Sequence, residues 1–319
     1  MERTLKRVLI TGATGMIGAT LTRLLRKENI EVVALVHSGS KKLSNLPVGE
    51  KGLLIVACDL SRTEELTVPH KNGRALLPLV DAVFHFAWDG AYGEKRNDLA
   101  LQERNLLYTE NVLRLGAKLG AKVFIGAGSQ AEYGPVSEKL TPETPCHPVT
   151  GYGIYKGKAR ERGLKLAETL GIDFIWTRIL SVYGPYDNDY TMVMSAVRAF
   201  EKKEHLAFTK GEQIWDYLFS EDAAHCFLEL AKKGRNGKTY VLGSGREKTL
   251  AEYVTDIRNA TDPTAEIGLG ERPYYENQVM VLTADVSALK EDTGYTPSTA
   301  FPDGIKKTVA WYRKKGQAT

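Results

Sequence analysis

The sequence predicts an α/β fold in which helices cover both faces of a doubly wound parallel sheet, beside a smaller C-terminal lobe. Short apolar runs rich in β-branched residues alternate with amphipathic helical stretches, which is typical of parallel strands joined by crossover helices. A glycine-rich turn joins the first strand to the first helix, and the alternation stops after Pro185. We therefore expect the sheet in residues 1–185, with 213–243 returning to it, and a substrate-binding lobe in 186–212 and 244–319.

The first strand is predicted at Val8-Leu9-Ile10, and apolar residues at helical spacing follow from Ile17. The turn between them has glycines at positions 12, 15 and 18, which permit a tight turn, close approach to a pyrophosphate and close packing of the helix. The N-terminus of that helix would face the anion. With these flanks the turn is a dinucleotide-binding fingerprint of the Rossmann fold. Its predicted cofactor ligands are Gly12, Thr14, Gly15, Met16 and Ile17.

The second strand, Val32 to Val36, ends where such folds contact the adenosine ribose of the cofactor. An acidic residue there favours NAD(H), whereas basic and small polar residues accommodate the 2′-phosphate of NADP(H). The chain continues His37-Ser38-Gly39-Ser40-Lys41-Lys42 and has no acid at this point. We expect NADP(H) to be preferred over NAD(H), with His37, Ser38 and Lys41 as ligands. The alternative is a solvated loop without a role in binding.

The third strand, Leu53 to Ala57, is followed by two further candidate cofactor residues, Asp59 and Leu60. The Asp59 carboxylate could accept from the adenine amino group. It could equally cap the short helix that follows, because Asp is a favoured N-cap residue.

The fourth strand, Ala82 to Phe86, ends in small residues that would let a cofactor lie close to the backbone, so Phe86 and Ala87 are candidate ligands. His85 lies inside this apolar strand and is interpreted as a packed core residue. A helix is predicted from about 98 to 119, and Asn105 within it is expected to face the cofactor.

The fifth strand, Lys122 to Ile125, leads to Ser129, whose hydroxyl is well placed for a ligand at the carboxyl end of the sheet. On the next predicted helix, Tyr152 and Lys156 lie one turn apart and share a face. A nearby ammonium stabilises a phenolate and lowers the pKa of the phenol, so Tyr152 could exchange a proton near neutral pH. Such a pair alone is more often a surface contact. Tyr155 points about 100° away around the helix and is interpreted as structural.

The remaining predicted elements follow the same patterns. They are a sixth strand at 174–180, helices at 192–202, 221–232 and 302–315, strands at 213–219 and 239–242, and loops over most of the chain after 243.

Composition excludes several classes of protein. The chain has 319 residues, 43% hydrophobic and 26% charged, with a formal charge of +4 and scattered Lys and Arg, so we expect no nucleic acid partner. No apolar run has membrane-spanning length. The first strand begins too early for a signal peptide, and the three isolated cysteines match no metal site. We expect a cytoplasmic protein without a metal.

Together, the glycine cluster, Ser129 and the Tyr152/Lys156 pair resemble the extended short-chain dehydrogenase/reductase family, and within it the nucleotide-sugar epimerases, dehydratases and reductases. The resemblance covers nearly the whole chain. It extends to Asp59, Tyr133-Gly134, Arg178 to Pro185, Asp216 to Phe219 and Gly294 to Pro297. It implies a nucleotide-sugar substrate and a homodimer formed by helices near 98–119 and 152–170. The outward residues of those helices are expected to be Leu106, Leu113, Leu164 and Ala167, with packing against the sheet as the alternative.

The resemblance also implies a mechanism. Ser129 and Tyr152 would bind one carbonyl or hydroxyl oxygen of the sugar, and Tyr152 would transfer the proton while hydride passes between the nicotinamide and the sugar. Lys156 would hold the nicotinamide ribose and, with the cofactor ring, lower the pKa of Tyr152. Ile179 is a further expected cofactor contact. The expected substrate contacts are Trp88, Ser129, Gln130, Ser181, Trp215 and Arg272.

Departures from the family pattern narrow the reaction. Family dehydratases carry Asp-Glu directly after the position of Ser129, where this chain has Gln130 and Ala131. Epimerases usually show an acid after the second strand, and often an Arg where this chain has Trp215; Arg272 is a candidate replacement. The segment 128–134 is most similar to 4-keto reductases. We expect an NADPH-dependent nucleotide-sugar 4-keto reductase, with an NAD-dependent 4-epimerase second and a non-catalytic NADP sensor third.

Overall fold

The computed structural model describes residues 2–67, 77–276 and 278–317. Residues 68–76, part of the predicted first domain, lie outside the described residues. The strands are β1 Arg7–Thr11, β2 Glu31–Val36, β3 Leu53–Ala57, β4 Ala82–His85, β5 Val123–Ser129, β6 Asp173–Ile179, β7 Ser181–Tyr183, β8 Ile214–Trp215, β9 Tyr217–Phe219, β10 Thr239–Leu242, β11 Lys248–Thr249 and β12 Val281–Leu282. The α-helices are α1 Met16–Lys27, α2 Leu99–Lys118, α3 Gly151–Leu170, α4 Met192–Lys202, α5 Ser220–Lys233, α6 Leu250–Thr261, α7 Ser287–Thr293 and α8 Phe301–Gln317. Among the helices of the described ranges, none is long and apolar enough to cross a membrane.

Seven of the described strands form one sheet in the order β10-β6-β5-β4-β1-β2-β3, and all its neighbouring pairs are parallel. The predicted doubly wound parallel sheet is confirmed. The chain order reverses between β1 and β4, which lie side by side. Ligands of open parallel sheets bind outside the carboxyl ends of the strands at such a point. The ends of β1 and β4, at Thr11 and His85, therefore mark the crevice.

Two apolar layers hold the helices onto this sheet, because successive side chains of a strand point to opposite faces. Val8 and Ile10 of β1 belong to the layer that includes buried residues of α1 and α5. Leu9 belongs to the opposite layer, with buried residues of α2 and α3. Since both faces are covered, the middle residues of the central strands are mostly apolar, as in Val8-Leu9-Ile10 of β1.

β5 is longer than the predicted strand 122–125. It continues to Ser129 because β6 pairs with it along its whole length. A side chain at Gly126 or Gly128 would collide with the buried Trp176 of β6, so both positions need glycine. Ser129 therefore stands at the end of a central strand, at the edge of the crevice.

Two expectations for the second half of the chain are wrong. The strand predicted at 213–219 is two strands, β8 and β9, which belong to different sheets. Asp216 separates them: its buried carboxylate accepts hydrogen bonds from the backbone N–H groups of Ser244 and Gly245 and from the Ser244 hydroxyl.

The chain after residue 243 also contains more helix than predicted. In addition to the predicted last helix, it contains α6 and α7. α6 begins at a capping box between Thr249 and Glu252. This spacing is visible in the sequence and marks a helix start. α4, α6 and α8 supply a separate apolar cluster whose buried members include Val197, Tyr253 and Ile305. The division into two domains stays a prediction.

The expected outward faces of α2 and α3 are also wrong. Leu106, Leu113 and Ala167 are at most 4% exposed and belong to the apolar layer beneath the sheet, and Leu164 packs against that layer. The structure therefore confirms the alternative, in which these residues pack against the sheet. The exposed apolar side chains of these helices are instead Leu99, Leu107 and Ile154.

Candidate active site

A cleft of about 500 Å³ opens at the crevice marked by the strand order. It brings together residues that are far apart in the sequence. Its lining includes the predicted residues Gly12, Gly15, Met16, Ile17, Phe86, Trp88, Ser129, Tyr152, Lys156, Ile179 and Ser181. A neighbouring cavity of about 330 Å³ includes Thr14, His37, Asp59, Leu60, Ala87 and Asn105, and shares Gly12, Gly15, Phe86 and Trp88 with the cleft. Most of the predicted site residues are therefore on one continuous surface.

The glycine turn has the geometry that a dinucleotide needs. Gly12 has a φ of +68°, and a Cβ there would lie 2.7 Å from the backbone nitrogen of Ala87. A Cβ at Gly18 would collide with the Gly12 carbonyl, whereas a Cβ at Gly15, which lines the cleft, would lie 3.4 Å from the same carbonyl oxygen. α1 begins without a side-chain cap. Its first backbone N–H groups are therefore available to an anion, so the turn fits a pyrophosphate.

The neighbouring cavity lies between the glycine turn and the end of β2, the position expected for the adenosine half of such a cofactor. Asp59 lies at its edge, and its carboxylate accepts from the backbone N–H and hydroxyl of Ser61, so the capping role is present. These hydrogen bonds lower the pKa of Asp59. The carboxamide of the buried Asn105 bonds both backbone groups of Asp89, which fixes the chain after β4.

Of the cofactor ligands predicted in the loop after β2, only some line this cavity. His37 and Ser40 line it, and the Ser40 hydroxyl donates to the hydroxyl of Thr14 at 3.3 Å. Ser38 does not line it, and Lys41 faces a separate cavity beside the C-terminal helix. No acidic side chain of this loop stands at the cavity.

α3 positions Tyr152 and Lys156 as predicted from their spacing. The Thr150 hydroxyl caps the helix by accepting from the Gly153 N–H. The Lys156 ammonium donates to the Ala127 carbonyl at 2.5 Å and lies 3.7 Å from the centroid of the Trp88 ring. Burial lowers the pKa of Lys156 to about 7.

The pKa of Tyr152 differs from the expectation. Burial raises this pKa to about 12, while a hydrogen bond with Ser129 and the charge of Arg96 act in the opposite direction. Lys156 does not produce the expected lowering, because its ammonium is turned toward Ala127 and Trp88 and stays 5.7 Å from the Tyr152 ring centroid. The phenol is thus protonated at neutral pH.

The sequence argument missed Glu132, which lies beneath Ser129. Its carboxylate accepts from the Ser129 backbone N–H at 2.9 Å, the Trp176 indole at 3.0 Å and the Arg178 guanidinium at 3.0 Å. Glu132 and Arg178 form an ion pair whose side chains are 1% and 6% exposed. The Ser-x-x-Glu spacing of a capping box could have indicated this contact, since Ser129 and Glu132 form one.

The predicted substrate residues are only partly brought together. Trp88 and Ser181 line the cleft, whereas Gln130, Trp215 and Arg272 do not. Trp215 contacts the cleft through Ser181, to whose hydroxyl its indole donates at 2.8 Å. Arg272 is exposed and lines none of the cavities described above. Lining residues that the sequence did not indicate are Tyr92, Arg96, Asp187, Asn188 and Thr191.

Comparison with known proteins agrees with this geometry. The sequence model of the NAD dependent epimerase/dehydratase family matches residues 8–243. The chain is 25% identical to dTDP-glucose 4,6-dehydratase of Haemophilus influenzae, over 96% of this chain and 97% of that protein. It is 25% identical to CDP-abequose synthase of Salmonella typhimurium, over 95% of this chain and 97% of that protein. It is similar in structure to UDP-glucose 4-epimerase of Thermotoga maritima with UDP-glucose, with a TM-score of 0.84 and 24% identity over 97% of this chain and 99% of that one.

Proposed function

The chain belongs to the NAD dependent epimerase/dehydratase family, and we propose that it reduces a nucleotide-activated 4-keto-6-deoxyhexose with NADPH. The observation that carries the proposal is the cleft, in which Ser129, Tyr152 and Lys156 meet, and in which Gln130 and Ala131 rather than two acids follow Ser129. The relatives named above act on nucleotide sugars, and CDP-abequose synthase is one of them. The chain aligns with both curated relatives over almost its whole length, which supports a substrate of the same class.

The surroundings of Ser129 argue against dehydration. In family dehydratases two acids follow the position of Ser129, and here Gln130 and Ala131 stand there. The nearest acid, Glu132, does not line the cleft, and its carboxylate is held in the interior by Trp176 and Arg178. Among the described residues, no carboxylate next to Ser129 is thus available to remove water.

The cleft residues have the properties that a ketone reduction needs. NADPH, when bound, supplies the hydride to the ketone carbon. The hydroxyl groups of Ser129 and Tyr152 hold the ketone oxygen, and Tyr152 donates the proton that turns this oxygen into a hydroxyl group. Its pKa of about 12 keeps the phenol protonated at neutral pH. Lys156, whose ammonium lies 5.7 Å from the Tyr152 ring centroid, would hold the nicotinamide ribose and, from there, would support the charge left on the phenol.

The preference for NADPH rests on the loop after β2. His37 and Ser40 line the adenosine side of the site, and the loop 37–42 contributes no acid that would repel a 2′-phosphate. An NAD-dependent 4-epimerase is the second candidate, favoured by the same lack of acids beside Ser129. Retained NAD and no net consumption of cofactor would favour it. The complete triad argues against a non-catalytic sensor.

We also propose that the chain is cytoplasmic and forms a homodimer through α2 and α3. The exposed Leu99 and Leu107 of α2 and Ile154 of α3, which are 57%, 50% and 37% exposed, would lie in that interface. Sedimentation of the purified protein tests this, and a monomer at all concentrations would contradict it.

Tyr152→Phe tests the reaction, with Tyr155→Phe as the matched control. Tyr155 lies on the same helix and packs against the apolar layer of α2 and α3. With dTDP- and CDP-linked 4-keto-6-deoxyhexoses, we expect the wild type to oxidise NADPH and Tyr152→Phe to lower kcat by about 100-fold or more. Tyr155→Phe should keep kcat. A Tyr152→Phe variant with wild-type kcat would overturn the assignment, and unchanged biological activity would support the sensor.

A further inference from the structure

Arg96 is held rigidly at the mouth of the cleft. It lies in the 3-10 helix Gly93–Asn97, between β4 and α2. The Gln102 carboxamide donates to the Lys95 carbonyl at 3.0 Å, and the Asn97 carboxamide oxygen accepts from the Gly151 N–H at 3.0 Å. The short helix is therefore tied both to α2 and to the first turn of α3. That turn carries Tyr152, so Arg96 and Tyr152 keep a fixed relation.

The Arg96 guanidinium faces the catalytic phenol and has donors to spare. It lies 4.9 Å from the centroid of the Tyr152 ring, lines the cleft and is half-buried. Within the described part of the chain, its N–H groups form no hydrogen bond or ion pair. A guanidinium has five N–H donors in a planar fork that suits an anionic oxygen pair.

The other charged and polar groups around Tyr152 do not satisfy Arg96. Among the cleft residues the second cation is Lys156, whose ammonium already binds the Ala127 carbonyl. The Asp187 carboxylate accepts from the Asn188 backbone and the Thr191 hydroxyl. Ser129, Tyr92 and Glu132 also influence Tyr152, and Glu132 is paired with Arg178.

We propose that Arg96 is a substrate-binding residue that takes an anionic oxygen of the nucleotide sugar above the Tyr152 ring. The proposal rests on the proposed function. The oxygen has two chemical sources: the phosphate attached to the sugar, or the ketone oxygen as it gains charge during hydride transfer. The first is bound in the ground state, whereas the second is bound more strongly in the transition state.

Arg96→Met keeps an apolar stem over the ring and removes the donors, whereas Arg96→Lys keeps the charge and loses the fork. With NADPH and dTDP- or CDP-linked 4-keto-6-deoxyhexoses, we expect Arg96→Met to lower kcat/KM by about 10- to 100-fold, the range of a charge-assisted hydrogen bond. Arg96→Lys should recover part of this. A higher KM with unchanged kcat identifies the phosphate, and a lower kcat with unchanged KM identifies the ketone oxygen.

Lys158→Met is the matched control, because the Lys158 ammonium lies 4.4 Å from the Tyr155 ring on the same helix, away from the cleft. It should leave kcat and KM unchanged. NADPH affinity and the thermal midpoint are measured for each variant to check that the fold and the cofactor site are intact. If Arg96→Met does not fold, the kcat and KM of Arg96→Lys decide whether Arg96 binds the substrate. Unchanged kcat and KM in the folded variant overturn the proposal.

The activity of the wild type distinguishes a failure of the proposed function from a failure of the role proposed for Arg96. If the wild type reduces neither keto sugar, the function fails, and Arg96 is judged by calorimetric titration with dTDP-glucose. If Arg96→Met binds dTDP-glucose about tenfold more weakly than the wild type, the proposal that Arg96 binds the nucleotide sugar is supported. Equal affinities overturn it.

Discussion

Glu132→Gln perturbs the buried charge pair beneath Ser129. The carboxylate accepts from three N–H donors, those of the Ser129 backbone, the Trp176 indole and the Arg178 guanidinium. A glutamine amide has no charge, and its own N–H groups would face donors rather than acceptors. The Arg178 side chain is 6% exposed, so the substitution leaves its charge buried without a counter-ion.

The expected loss is large compared with the stability of a domain. Removing one partner of a buried ion pair costs about 3–5 kcal/mol, against a total free energy of unfolding of about 5–15 kcal/mol. We expect Glu132→Gln to lose about 3–5 kcal/mol of this free energy. Adding Arg178→Met removes the isolated charge as well, so the double variant should recover about 2 kcal/mol or more.

Urea unfolding followed by circular dichroism measures these changes. Asp292→Asn is the matched control: the Asp292 side chain is 1% exposed, but its partners Arg235 and Lys238 are 66% and 41% exposed and would regain water. Asp292→Asn should therefore lose less free energy of unfolding than Glu132→Gln. The reasoning is refuted if Glu132→Gln loses no more than Asp292→Asn, or if the double variant is no more stable than the single one. Because Glu132 also accepts from the Ser129 N–H, a displacement of this side chain should lower kcat while the affinity for NADPH stays.

Two further predictions concern the charge of Lys156 and the choice of cofactor. Burial lowers the pKa of Lys156 to about 7 from its ordinary 10.5, so the unfolded chain binds more protons between these values and the wild type gains stability as the pH rises through that window. Lys156→Met should therefore be more stable than the wild type near pH 6, with a difference that shrinks toward pH 10; urea unfolding that shows the same difference at both pH values would contradict this. Ser40→Asp places an acid after β2 at a position that lines the adenosine cavity, and should weaken NADPH binding relative to NADH, by about tenfold for one added repulsion of about 1.4 kcal/mol. Fluorescence titration with an unchanged ratio would argue against a 2′-phosphate site there.

Much of the fold followed from local patterns, because strand spacing, helical periodicity and the glycine turn depend on neighbouring residues. The same holds for Tyr152 and Lys156, which share a helix face, and for Ser129, whose position follows from the end of β5. The family resemblance drawn from these residues is confirmed by the match over residues 8–243.

Long-range contacts could not be predicted in this way. Glu132 meets Trp176 and Arg178, which lie 44 and 46 residues further along the chain. Arg96 reaches the cleft because an irregular segment is tied to the start of α3. The outward face of α2 was misjudged because helical periodicity shows which residues share a side and does not show what covers that side. The raised pKa of Tyr152 depends on burial, which spacing does not reveal.

One measurement tests the proposed reaction most directly: NADPH oxidation by the purified chain with 4-keto-6-deoxyhexoses linked to dTDP or CDP, with the product identified by nuclear magnetic resonance and the cofactor content of the preparation determined first. The account predicts a chain that binds NADPH more tightly than NADH and consumes one NADPH for each 4-hydroxy sugar formed. A preparation that retains NAD, consumes no NADPH and inverts the C4 hydroxyl of a UDP-hexose would contradict it and establish the epimerase.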